Sequence, residues 1–214
     1  MQVVLNNWTL LLDGLFNTIQ LSLQVIVFGT LVGLIGGTLL LFGHPLIRAI
    51  VRAYVDIVRG TPLLVSIFLI FYGIPALGIP MPAFSAAVIA LTFFAGAHMS
   101  EIVRGAVGSV PRAQTEAAMA VGLAFAERLR FVVFPQAIRR MIPPWVNLCV
   151  ELIKGSTLVS LVSVTDLMLS TRQVLERTAQ PVPFYILLAI VYFVMCYSFG
   201  RFGGRLERRF AYYD

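Results

Sequence analysis

Long uninterrupted apolar segments are the feature of this chain that most restricts its fold. The 214 residues are 59% hydrophobic and only 12% charged, whereas soluble domains carry about 25% charged residues. A helix needs about 20 mostly apolar residues to cross a bilayer. We therefore predict an all-α integral membrane protein with five transmembrane helices in a single domain, residues 1–214. The spans are predicted near residues 17–42, 47–72, 84–107, 144–164 and 184–202.

Basic residues are distributed unequally between the predicted loops. The link 108–143 contains five arginines, and the segment 201–214 contains four, whereas residues 1–16 contain none. Because Lys and Arg collect in cytoplasmic loops, we predict an outside N-terminus and a cytoplasmic C-terminus. No basic residue precedes the first apolar segment, so we expect it to remain as a span rather than to be a cleaved signal peptide. The link 165–183 is predicted to hold a short helix on the outer surface.

An acid, two branched apolar residues, a base and a glycine follow one another three times inside or beside the predicted spans. The spacing places acid and base on one helix face, so each pair can neutralise itself. At 1.5 Å per residue, the three acids lie ~10–14 Å from the cytoplasmic ends of their spans. They therefore form one layer. The three copies are DIVRG at 56–60, EIVRG at 101–105 and ELIKG at 151–155.

The first copy, Asp56 with Arg59, is interpreted as a structural ion pair, followed by a bend at Thr61-Pro62. Arg104 is interpreted in the same way. Because Arg104 lies closer to the cytoplasmic end of its span than Glu101, it can extend to the surface. Glu101 is therefore predicted to be the less compensated acid.

Two carboxylates, Glu101 and Glu151, are candidate residues of a translocation pathway. Charges inside a membrane are expensive and usually face a cavity or one another, and the ammonium group of an amino acid would suit a layer of carboxylates. Lys154, Thr157 and Ser160 are further candidates in the same segment. The alternative for the two hydroxyls is a hydrogen bond to a carbonyl of their own helix. The alternative for the two acids is a purely structural role.

The link 108–143 is predicted to form two short helices separated by a glycine. Pro suits a first helical turn, and the alanines favour helix over residues 111–121. Gly122 is predicted to break the helix, and a second helix over 125–134 is expected to end before Pro135. An amphipathic element lying on the membrane surface is the alternative interpretation.

In this link, EAAMAVG followed by FPQA resembles the EAA loop of permease subunits of ABC importers. The segments VRGTPLLV, EIVRGAVGSV and KGSTLVS resemble the polar amino-acid branch, the histidine/glutamine permease family. The resemblance covers about residues 14–210 and implies the type I ABC importer permease fold. The chain departs from the family pattern at Ala113, Phe134 and Gly155, where the family often has Gly, Leu and Asp.

The resemblance implies that the EAA loop docks as a coupling helix in a groove of an ATPase subunit. The residues that match the coupling motif are Glu116, Ala117, Ala118 and Gly122. The implied partners are an ATPase subunit dimer, a second permease subunit that is identical or a sister, a periplasmic or lipid-anchored substrate-binding protein, and an amino-acid substrate. Membrane lipid surrounds the chain, and no nucleic acid is expected.

No catalytic residue, metal site or bound cofactor is expected in this chain, and ATP and Mg are assigned to the ATPase. A Walker A motif needs Gly-Lys before Ser or Thr, whereas Ile153 precedes the single lysine, Lys154. We predict the permease subunit of an ATP-binding cassette importer for a polar amino acid or close derivative in the bacterial inner membrane. The alternatives are an ATP-independent secondary transporter or channel, whose charges would relay ions, and a scaffold whose link recruits a soluble partner.

Overall fold

The computed structural model describes residues 7–211, which form helices joined by short links. No strand occurs within this range, so the prediction of an all-α protein is confirmed. A π turn, Leu129–Val133, joins the sixth helix to the seventh, and a 3-10 helix, Ser156–Val162, extends the seventh. The helices are α1 Trp8–Phe42, α2 Pro45–Gly60, α3 Leu63–Ala76, α4 Ala83–Gly108, α5 Arg112–Ala120, α6 Phe125–Arg128, α7 Phe134–Gly155, α8 Leu167–Thr178 and α9 Pro181–Ala211.

Four helical stretches of the described chain are long and apolar enough to cross a membrane: α1, α4, α6 to the end of the 3-10 helix, and α9. The helices α2 and α3 pass the same test only as a pair, bent by 110° at the break between them, so the described chain holds four candidate spans, or five if this pair is one span. The bend predicted at Thr61-Pro62 is confirmed. Thr61 is extended, with φ −102° and ψ 134°, because the proline ring disfavours a helical conformation in the residue before it.

Close packing of α1 against α4 forms the centre of the bundle. A Cβ atom on Gly33 would lie 2.2 Å from the Cβ atom of Met99, and one on Gly29 would lie 2.4 Å from that of Ala95. Small residues let helix backbones approach in membranes, where packing drives association. The glycines of α1 therefore fix where α4 lies, and α4 carries Glu101.

The seventh helix corrects the predicted boundaries of the link 108–143. The second short helix does not end before Pro135, and the fourth span does not start at Pro144, because helix continues from Phe125 into α7. In the π turn, the Phe134 N–H donates to the Leu129 carbonyl, and the wider turn accommodates the proline that follows. Prolines inside membrane helices are tolerated where neighbouring groups satisfy the freed carbonyls.

The predicted short helix in the link 165–183 is confirmed as α8, which packs on α1 and α9. Asp166 caps it, since its Oδ1 accepts the Leu169 N–H at 2.8 Å. The Asp166 side chain is buried and its Oδ2 has no hydrogen-bond partner within residues 7–211. Burial raises the pKa of Asp166 to about 6. Pro181 begins α9 rather than only closing this link.

Candidate functional site

One carboxylate, Glu101 of α4, is surrounded by three arginines. Its Oε1 lies 2.8 Å from Nη1 of Arg52, and its Oε2 lies 2.7 Å from Nη2 of Arg104. Nη1 of Arg59 is farther away, 3.8 Å from Oε2. The Glu101 side chain is 13% exposed and the three arginines are 41–44% exposed. The prediction that Glu101 is the less compensated acid is therefore wrong.

Of the three acid–x–x–base copies, only the second forms an ion pair between its own acid and base, Glu101 and Arg104. Across the described part of the chain, no ion pair within 4.0 Å joins Asp56 to Arg59 or Glu151 to Lys154. Asp56 is exposed on α2, and Arg59 extends towards α4 instead. An exposed ion pair contributes about 0–1 kcal/mol, so little is lost when Arg59 approaches the partly buried Glu101.

A polar cavity of about 410 Å³ lies between α2, α4 and α7, next to this arginine cluster. Glu101 forms one wall and Glu151 another, so the structure brings the two candidate carboxylates to one site. The cavity also holds a guanidinium, an imidazole and an amide, and therefore offers both charge signs and neutral hydrogen-bonding groups. Its lining residues are Arg59, His98, Glu101, Ile102, Pro144, Asn147, Leu148 and Glu151.

Two polar residues of this cavity, His98 and Asn147, were not among the candidates predicted from the sequence. Nε2 of His98 is buried and has no hydrogen-bond partner among residues 7–211, and the imidazole packs on the ring of Phe94 with centroids 4.4 Å apart. Spacing from a candidate acid was the one signal in the sequence for either residue. His98 precedes Glu101 by three positions, and Asn147 precedes Glu151 by four, so each pair shares a helix face.

The three other pathway candidates do not line the polar cavity. Lys154 is exposed near the end of α7. The Thr157 hydroxyl donates to the Lys154 carbonyl at 2.8 Å, and the Ser160 hydroxyl donates to the Thr157 carbonyl at 2.7 Å. The hydroxyls thus make the local hydrogen bonds that were the alternative role. The change from α-helix to 3-10 helix after Gly155 also alters the direction of the side chains that follow.

The segment with the coupling motif lies at the surface, as α5, a tight turn and α6. Gly122 has φ +82°, a conformation that favours glycine, and it ends α5 as predicted. The Ala118 carbonyl accepts the Leu123 N–H at 3.1 Å, and its side chain is buried. Glu116 and Ala117 are exposed.

Exposed apolar side chains surround this turn. Met119 is 50% exposed, Val121 76% and Phe125 60%. Clustered apolar exposure of this kind is typical of a surface that another molecule covers. The π turn joins the segment directly to α7, which carries Asn147 and Glu151.

Comparison with known proteins identifies similar chains over nearly the full length. The family described as binding-protein-dependent transport system inner membrane component matches residues 26–212. The probable glutamine ABC transporter permease protein GlnP of Bacillus subtilis is 34% identical over 200 residues, covering 92% of each chain. The L-cystine transport system permease protein TcyB of the same organism is 35% identical over 207 residues, covering 96% of this chain and 88% of TcyB.

A solved structure, described as an amino acid ABC transporter with histidines, has the same fold. It superposes with a TM-score of 0.91 at 32% identity and covers 96% of each chain.

Proposed function

Because the chain belongs to the family of inner membrane components of binding-protein-dependent transport systems, we propose that it is the permease subunit of an ABC importer for a polar amino acid. The observation that carries this proposal is the cavity of about 410 Å³ with both charge signs between α2, α4 and α7. Its size falls in the usual range of small-molecule sites. Relatives named for glutamine and L-cystine agree with a zwitterionic substrate.

The two carboxylates have different roles in this proposal. Glu101 already accepts hydrogen bonds from Arg52 and Arg104 at 2.7–3.0 Å, so it acts mainly to hold α2 against α4. Glu151 has no ion-pair partner within the described residues and is exposed at the cavity. We assign the substrate ammonium to Glu151.

The substrate carboxylate is assigned to Arg59, which is the most weakly held of the three arginines at 3.8 Å from Glu101. A planar guanidinium binds a carboxylate with two parallel hydrogen bonds. His98 and Asn147, which line the cavity, remain for the polar side chain of the substrate.

The coupling segment is proposed to dock on an ATPase subunit. Glu116 is placed to pair with a basic group, Ala117 permits close approach, and the exposed Val121 and Phe125 would be buried in the contact. Since the π turn makes this segment continuous with α7, movement of the ATPase would be transmitted to the cavity wall. Binding of ATP and of the substrate-binding protein then shifts the permease between outward-facing and inward-facing conformations.

The complete transporter is proposed to contain an ATPase dimer that binds ATP and Mg, and a second permease subunit, identical or a sister. A periplasmic or lipid-anchored binding protein supplies the amino acid. The permease is proposed to lie in the bacterial inner membrane with its N-terminus outside and its C-terminus and the link 108–143 in the cytoplasm. The arginines of that link and of the last helix support this orientation.

Reconstitution tests the proposed function. The permease is incorporated into proteoliposomes with its ATPase and binding protein, and uptake of radiolabelled amino acids is measured with and without ATP. We expect uptake of the binding protein's ligand only when both ATP and the binding protein are present. Uptake by the permease alone, driven by a proton or sodium gradient, would instead support the secondary transporter.

A further inference from the structure

A second cavity lies at the surface between α1, α7 and α9, and its lining is apolar. Its volume is about 310 Å³. The hydroxyl of Thr30, which belongs to this lining, already accepts the Nε1–H of Trp145 at 3.0 Å. We call this cavity the α1–α9 groove. Its other lining residues include Leu34, Ile138, Ile142, Leu206 and Phe210.

The groove is open to the surroundings of the chain, and hydrocarbon is the occupant that suits it. Leu34 is 36% exposed, Ile138 45% and Phe210 38%. A water molecule needs 2–4 polar partners, which this lining does not offer. An empty groove of this size would forfeit dispersion contacts along its walls. Because the chain spans a membrane, the hydrocarbon that surrounds it is that of lipid acyl chains.

Arginines at the end of α9 indicate that the headgroup of that lipid is anionic. Arg209 lies between the lining residues Leu206 and Phe210 in the sequence, and Arg205 lies one turn before it. Both are exposed, and within residues 7–211 no carboxylate lies within 4.0 Å of either guanidinium. Basic pockets next to transmembrane helices bind anionic headgroups, and a guanidinium forms strong hydrogen bonds to phosphate.

We propose that the α1–α9 groove binds one acyl chain of an anionic phospholipid, whose phosphate is held by Arg205 and Arg209. The lipid would contact α1, α7 and α9 together. The site is separate from the polar cavity, which α9 does not line.

Native mass spectrometry of the purified full-length chain tests the proposal. The probes are phosphatidylglycerol and phosphatidylcholine with identical acyl chains, added at equal concentrations. Each arginine near an anionic lipid surface changes affinity about fivefold. We therefore expect the double variant Arg205→Gln/Arg209→Gln to weaken phosphatidylglycerol binding about 30-fold. Phosphatidylcholine binding should weaken much less, because the cationic choline already cancels the charge of its phosphate. The matched control Arg177→Gln, in α8, should bind both lipids as the unchanged chain does.

A second variant, Ile138→Trp, fills the groove without altering its charge and should reduce binding of both lipids. The arginine variants change exposed side chains only, so they keep the test valid if Ile138→Trp fails to fold. Equal retention of the two lipids by the unchanged chain would overturn the proposal. A double arginine variant that retains phosphatidylglycerol as well as Arg177→Gln does would also overturn it.

Discussion

Replacing Glu101 with glutamine removes the one acid that three arginines share. Two of its contacts are short, at 2.7 and 2.8 Å, and the third is 3.8 Å. Removing one partner of a fully buried pair costs about 3–5 kcal/mol, whereas an exposed pair contributes at most about 1 kcal/mol. Glu101 is 13% exposed but its partners are 41–44% exposed. For this intermediate burial we expect the free energy of unfolding to fall by about 2 kcal/mol. The Tm then falls by about 4–8 °C, at 2–4 °C per kcal/mol.

Thermal unfolding in detergent, followed with a thiol-reactive fluorophore in a Cys196→Ser background, measures this loss, because the remaining cysteine, Cys149, is 1% exposed and reacts only when the chain opens. Asp56→Asn is the matched control, since Asp56 is exposed and has no ion pair in the described chain. We expect Arg52→Gln to destabilise more than Arg59→Gln, because Arg59 is farther from Glu101. A Tm for Glu101→Gln equal to that of Asp56→Asn would refute the assignment of Glu101 as the contact that holds α2 to α4.

Three further predictions concern transport and pH. Glu151→Gln should lower the kcat/KM of ATP-dependent uptake, measured against the concentration of loaded binding protein, about tenfold or more, since a charge-assisted hydrogen bond contributes about 1.5–3 kcal/mol; an unchanged kcat/KM would exclude Glu151 as the ammonium site. Glu116→Lys should abolish uptake and stimulation of the ATPase while membrane insertion, measured by protease protection, is unchanged, and a normal uptake rate would contradict the coupling assignment. The folded pKa of Asp166, about 6, lies above its ordinary value of 3.8, so the folded state binds the proton more tightly than the unfolded state. Its stabilising contribution is therefore present below pH ~4 and is lost as pH rises to ~6. Asp166→Asn, which still caps α8, should flatten this fall in Tm, and an unaltered pH profile would show that burial of the carboxylate is not its cause.

Features that depend on neighbouring residues in the chain could be predicted from the sequence. Pro62 restricts the backbone conformation of the residue before it, so the break between α2 and α3 was predictable from the dipeptide Thr61-Pro62. The break at Gly122 followed in the same way from the freedom of glycine at positive φ. The expected break at Pro135 was wrong because a π turn before it changed the hydrogen-bond pattern, and no local rule predicts that turn.

Features that depend on how two helices are rotated against each other could not be predicted. Arg52 and Glu101 are 49 residues apart, and their contact exists because α2 presents its basic face to α4. The charge pattern within each helix carries no information on this rotation. His98 was missed for a different reason: its spacing from Glu101 placed it on the same face, but a single histidine in an apolar span has no distinctive sequence pattern.

The three acid–x–x–base copies are equivalent as sequence and distinct as structure, and the difference bears on where a substrate binds. An ammonium that approached Glu101 would compete with two guanidinium groups already within 2.8 Å of its oxygens. Releasing Arg52 would also remove an ion pair that joins α2 to α4. At Glu151 the ammonium replaces only water, because no base in residues 7–211 pairs with this carboxylate. Binding energy at Glu151 is therefore available to the substrate, whereas at Glu101 most of it would be spent on breaking existing contacts. A cavity with one occupied and one available carboxylate thus supports the proposal that a single ammonium group binds at Glu151, with the substrate carboxylate towards Arg59.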